Sequence, residues 1–155
     1  MAMSAYFDRD TVSLPGFALF FRSYSESEFI HANEVIDQQN RRGGRVEIGA
    51  IPMPDSDYNN EDKGDALYAM LTALALVKMN MEKMRELHGE CEECDDHQTS
   101  DFIEEMMEEQ ARVIKEVSNY VAELERVGKG YGVWHVDERL QEEGRYGATL
   151  GAEEM

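Results

Sequence analysis

Between Ser13 and Asn40 the chain places Phe17, Phe20, Phe21, Tyr24, Glu28, His31 and Val35 so that each has a neighbour of the set three or four positions away. Residues so spaced lie on one side of a helix, and that side is the one a helical assembly buries. The stretch therefore predicts a single long helix. Pro15 is tolerated in its first turn, and Thr11 or Ser13 is placed to cap it. Arg41-Arg42-Gly43-Gly44 supplies its end, with cations against the negative end of the dipole and glycine for a left-handed stop. Glu28 and His31 break the apolar stripe. Turned inward, a carboxylate and an imidazole one turn apart need a hydrogen bond, an ion pair or a metal. Glu-x-x-His is also a spacing by which helical bundles present metal ligands to their cores.

The remaining chain reads as further helices. Residues 43–60 form a long connection in which Val46, Ile48 and Ile51 have strand-like spacing and Pro52 and Pro54 prevent helix. Fully extended, its ~18 residues reach roughly 60 Å, against about 42 Å for a helix of ~28 residues. The connection can thus cross a bundle end to end, which predicts parallel flanking helices. A second long helix is expected from about Glu61 to about Glu90, with the stripe Leu67, Met70, Leu74, Val77, Met81, Met84, His88. After the acidic break 92–96, a third is expected from Thr99–Asp101 to Val127, with Phe102, Met106, Gln110, Val113, Val117, Tyr120 and Leu124 inward. Gly128, Gly130 and Gly132 read as a hinge before a short helix, Val133 to about Glu142, with Val133, Val136 and Leu140 on its apolar side. Two regions follow: a helical domain over 1–143 and a patternless, mobile tail over 144–155.

Charge narrows the partners. With 33 acidic against 15 basic residues, the formal net charge is −18, which argues against nucleic acid or an anionic membrane. No run of apolar residues is long enough to span a bilayer, and residues 1–10 lack the basic and apolar succession of a signal peptide. His88, Cys91, Cys94 and His97 recur at threes, and such ligands could bind zinc or a softer metal. Zinc signatures place a loop between ligand pairs, so a solvated acidic loop is the plainer reading. Met70, Met81, Met84 and Met106 read as core filler, and Trp134 and His135 as packing residues. The pairs Glu108-Glu109 and Glu142-Glu143 read as solvated.

Four segments carry a resemblance: Ala5-Tyr-Phe-Asp-Arg-Asp10, Gln39-Asn-Arg-Arg-Gly-Gly-Arg45, Lys63-Gly-Asp-Ala-Leu-Tyr-Ala-Met70 and Arg126-Val-Gly-Lys-Gly-Tyr-Gly-Val-Trp-His135. Over residues 1–140 the chain resembles ferritins, most closely the plant-type, plastid ones. The resemblance implies an all-α fold: a ferritin-like four-helix bundle with a long crossover loop and a short fifth helix. The family's first helix extends about three turns upstream of the match to Met1, so a bundle with its first helix truncated is expected. It further implies iron, Fe(II) and Fe(III), held in a mineral-storing shell of twenty-four subunits. Location would be the plastid, with the cytoplasm as the alternative.

The resemblance also assigns a metal site. Glu28 matches the family's bridging carboxylate, His31 its histidine ligand and Gln110 the glutamine behind the second iron. Ser27 and Val77 stand where the family carries glutamates, and the glutamate of the first helix lies upstream of the match. Because carboxylate number sets affinity for hard cations, the expectation is a degenerate ferroxidase site in an iron-storage subunit that works in a shell mixed with catalytic subunits. A buried hydrogen-bonded pair without metal is the plain alternative for Glu28 and His31. His88, Asp101 and Glu104 match residues lining the channels through which iron enters, although 101–110 is one residue shorter than the family pattern, which leaves the helical phase of Asp101 and Glu105 open. Two other functions stay open: a working ferroxidase oxidising Fe(II) with dioxygen, and a non-catalytic helical binding module.

Overall fold

The computed structural model describes the backbone of residues 1–153 and the side chains of residues 1–144. Among the described residues the chain is all-helical: α1 (Ala2–Phe7), α2 (Pro15–Arg41), α3 (Asp65–Glu93), α4 (His97–Val127) and α5 (Tyr131–Glu153). They fall into two compact units. One holds residues 1–58 and the chain from Gly130 onward; the other is Asn59–Lys129.

In the first unit α1 and α5 both pack on α2. Phe7 is fully buried. Its ring stacks on Phe21, centroids 5.7 Å apart, and leans on Phe17 at 5.3 Å. The turn between α1 and α2 closes through Leu14 N–H to the Phe7 carbonyl, 3.1 Å. Pro15 opens α2 as its sequence position predicts. The expected side-chain cap from Thr11 or Ser13 is absent. Ser13 adopts a left-handed φ of 53° to make the turn, and Leu14 occupies the N-cap. The cap comes instead from α5, as described below. At its other end α2 stops as predicted, with Arg41 in the last turn and Gly43 at φ 78°.

The connection after α2 forms no strand. A single extended segment has no neighbour to complete a ladder of hydrogen bonds, and Pro52 and Pro54 remove donors. Ile48, Ile51 and Met53 stand in solvent. The segment is anchored at its far end: Tyr58 is buried against Tyr6, 5.5 Å between centroids, and Arg9 Nη2 donates to the Ser56 carbonyl at 2.7 Å.

The second unit is the antiparallel-by-connection pair α3 and α4, joined by the three-residue corner 94–96. Helix α3 begins four residues later than expected. Asn60 Oδ1 accepts from the Asp62 and Lys63 N–H groups and holds them in a turn, and Gly64 enters the helix at φ 81°. Helix α4 begins earlier, because Asp96 is the N-cap and accepts from Thr99 N at 3.3 Å and Thr99 Oγ at 2.8 Å. Replacing Asp96 with alanine should cost about 1 kcal/mol, read as a lower midpoint in urea unfolding. Ser100, Ile103, Gln110, Val117, Tyr120, Val121 and Leu124 are buried. Asp101 and Glu105 both lie exposed beside this buried face.

Gly128 and Gly130, at φ 67° and 90°, make the break after α4, whereas Gly132 already belongs to α5. Val136 and Leu140 are buried as predicted. Helix α5 continues to Glu153 rather than ending near Glu142, so most of the expected tail is helical. Residues 154 and 155 of that expectation lie outside the described residues.

Candidate metal centres

The Glu28–His31 pair lies in the second half of α2. Its aromatic first half is buried, with Phe17, Phe20 and Phe21 each at 9% exposure or less. Beyond Tyr24 the burial fades. Glu28 is exposed, His31 is half-buried and Val35 is 40% exposed. The expectation of an inward carboxylate inside a buried stripe is thereby corrected. The six residues of α1 cover α2 only around Phe17 and Phe21, so the seven-residue stripe is not uniformly covered. Phe29 and Ile30 are also exposed, at 71% and 57%. An exposed Glu28 needs no buried partner. It can offer its carboxylate to a cation, with His31 one turn on.

Gln110 belongs to the other unit. It is 3% exposed, and its Nε2 donates to the Val77 carbonyl across the α3–α4 interface at 2.9 Å. Its amide is thus fixed by a main-chain acceptor on the residue that stands where the family carries a glutamate. The hydrogen bond gives Gln110 a structural role in joining the helices, whether or not a cation is near.

At the α3–α4 corner the structure does bring predicted residues together. His88 Nε2 lies 3.0 Å from Glu104 Oε1 and 3.0 Å from Ser100 Oγ, and Ser100 Oγ donates to Glu92 Oε1 at 2.7 Å. The single hydroxyl proton of Ser100 goes to Glu92, so Ser100 can only accept from His88. The Glu104 carboxylate also only accepts. His88 Nε2 therefore carries the proton, and in the neutral ring Nδ1 keeps the lone pair. A cation approaching Glu104 meets an N–H on that side of the imidazole, not a ligand nitrogen. Asp101, which the resemblance also assigns to the channel, is exposed. Cys91 is buried in α3 and Cys94 exposed at its C-cap, and neither is in a disulfide. Among the described residues, no three His, Cys, Asp or Glu side chains converge as a metal cage.

Sequence reasoning missed two of these groups. Ser100 is buried between two acidic residues and a histidine, and its only signal was its place on the inward heptad of α4. Asp137 is 2% exposed. Its Oδ1 accepts from the Phe17 N–H at 3.0 Å, in the first turn of α2, and its Oδ2 accepts from Gln141 at 2.9 Å. It caps α2 from 120 residues away. A buried carboxylate is favourable there because the N–H groups and dipole of the helix start are positive. The signal was weak: Asp137 follows Val136 and precedes Leu140 by three, on the apolar side of α5.

The ferritin-like domain family matches residues 1–127 of the chain. The chain belongs to the ferritin family. Among its relatives, Ferritin-3, chloroplastic, of Glycine max is 52% identical over 143 residues, covering 92% of this chain and 56% of the relative. Ferritin-2, chloroplastic, of Zea mays is 51% identical over 144 residues, covering 92% and 57%. The chain thus spans a little over half the length of these relatives. The crystal structure of ferritin from the multicellular green alga Ulva pertusa superposes with a TM-score of 0.88 at 44% identity, covering 91% of this chain and 73% of the algal one. The all-α ferritin-like fold expected from the sequence is the fold the chain has. Among the described residues no helix is long and apolar enough to cross a membrane.

Proposed function

We propose that this chain is an iron-storage subunit of a mineral-holding ferritin shell in the plastid, with little oxidation chemistry of its own. The observation that carries the storage reading is the identity of about half of its residues with chloroplastic ferritins across 92% of its length. Iron is the cargo. Glu28 and His31 would hold one ion loosely; Gln110, which the resemblance matches to the family's glutamine, would keep its bond to the Val77 carbonyl. The corner residues His88, Glu104 and Asp101 would line the entry route, where an acidic surface raises the local concentration of Fe(II). Poor oxidation follows from the donor set. One carboxylate and one imidazole on α2, with Ser27 and Val77 in place of carboxylates, supply too few charges to bind two irons and stabilise their oxidised state. Mixing with ligand-complete subunits would let such a chain function in a shell.

Particle size tests this reading. Purified alone or with a ligand-complete ferritin, the chain should appear by native mass measurement in particles many times its 17.7 kDa, and those particles should retain iron after gel filtration. A 17.7 kDa chain or a small complex under both conditions, with no retained iron, would refute it. That outcome would favour the second reading, a helical binding module, to which the exposed Phe29 and Ile30 on α2 point.

A further inference from the structure

We propose that Cys91 and Cys94 are a redox site: a reversible disulfide between them locks the α3–α4 corner, with a small cationic disulfide as the favoured oxidant. The inference stands apart from the iron reading. Neither cysteine is in a disulfide. Cys91 lies in the last turn of α3 and Cys94 is its C-cap, with φ −96° and ψ 4°. The Cys94 N–H donates to the Cys91 carbonyl at 3.2 Å, the three-residue bond of a tightened helix end. Helix geometry puts residues three apart at about 5 Å between Cα atoms, inside the roughly 4.4–6.8 Å that a disulfide spans. Cys-x-x-Cys is also the spacing of dithiols that cycle.

The two thiols divide the work. Cys94 is exposed and Cys91 buried. Cys94, as thiolate, attacks one sulfur of the small disulfide, whose S–S bond breaks and releases the first small thiol. Cys91, as thiolate, then attacks the Cys94 sulfur and releases the second. The two protons lost by the cysteines end on the two small thiols. One small disulfide is reduced and one protein disulfide is formed.

Two local features give the bond a consequence and a preference. The Cys91 carbonyl also accepts from the Asp96 N–H at 2.9 Å, and Asp95 between them takes a left-handed φ of 54°. Tying Cys91 to Cys94 therefore fixes the corner on which the Asp96 cap of α4 and the Ser100–His88 contact depend. The cysteines are flanked by Glu90, Glu92, Glu93, Asp95 and Asp96, a field that draws in cations and repels anions.

The test uses the full chain, reduced and then freed of reductant. Cystamine, a dication, and oxidised glutathione, an anion, are compared as oxidants, followed by peptide mapping without reduction. The peptide bearing both cysteines should lose two hydrogens. Cystamine should act about tenfold faster at low salt, with the gap closing near 0.5 M salt. Hydrogen exchange at the Asp96 amide should slow about tenfold on oxidation. Cys94→Ser, which leaves the buried Cys91 in place, should abolish the mass change. A lasting mixed disulfide on Cys94 alone, a bond only between two chains, equal rates with both oxidants, or unchanged exchange at Asp96 would each overturn the proposal.

Discussion

Gly16→Ala should lower the stability of the chain by about 3 kcal/mol, although alanine is the better helix former. A Cβ at position 16 would overlap the Asp137 carbonyl oxygen and lie 2.8 Å from the carbonyl carbon and 2.9 Å from Oδ1. The obstacle is mainly backbone, so no rotamer change relieves it. Helix α5 must move away from the start of α2, which weakens the Asp137 bond to Phe17 and loosens the burial of Val136 and Leu140. For a chain of this size the loss corresponds to a fall of roughly 6–12 °C in Tm, read by circular dichroism. A midpoint within a degree of the parent would mean that the α2–α5 contact is looser than described. Asp137→Asn gives a graded companion. Its remaining carbonyl can still accept from Phe17, so it should cost less than Asp137→Ala, which leaves that buried N–H without a partner.

The second large effect concerns iron. On the proposed reading, the purified chain given Fe(II) in air should consume oxygen at close to the buffer rate, at least about 100-fold below a ligand-complete ferritin. Changing groups that merely support metal ligands costs ten- to a hundredfold in affinity or activity, and here ligands themselves are replaced. His31→Ala should therefore change oxygen uptake little, while lowering the number of cations bound per chain in an anaerobic titration. The double variant Ser27→Glu, Val77→Glu should raise uptake at least about tenfold if carboxylate number is what limits the reaction. Rapid uptake by the parent, abolished in His31→Ala, would establish instead a working ferroxidase with a different ligand set.

Much of the fold was legible in the residues. The three long helices, the left-handed glycine stop after Arg41, the break at Gly128 and the inward residues of α3 and α4 all follow from spacing and capping within a few positions. Helix starts were less legible. The Asn60 turn delays α3 and the Asp96 cap advances α4, and both depend on which polar side chain wins a local hydrogen bond. The apolar spacing of Val46, Ile48 and Ile51 suggested a strand, but a strand exists only if a neighbour completes its hydrogen bonds.

The candidate sites divide in the same way. Sequence alone determined which residues could act: Glu28 and His31 one turn apart, Ser27 and Val77 where carboxylates are wanting, His88 and Glu104 on successive helices, and membership of the ferritin family. Only the tertiary structure decided their surroundings. It left Glu28 exposed because α1 covers α2 only over its aromatic half, joined His88 to Glu104 through a proton on Nε2, spent the Gln110 amide on the Val77 carbonyl, and brought Asp137 to the start of α2. The physical reason is range. Helix periodicity and caps are set by neighbours within about four residues, whereas burial and hydrogen bonds across 16, 33 or 120 positions arise only when whole faces have packed.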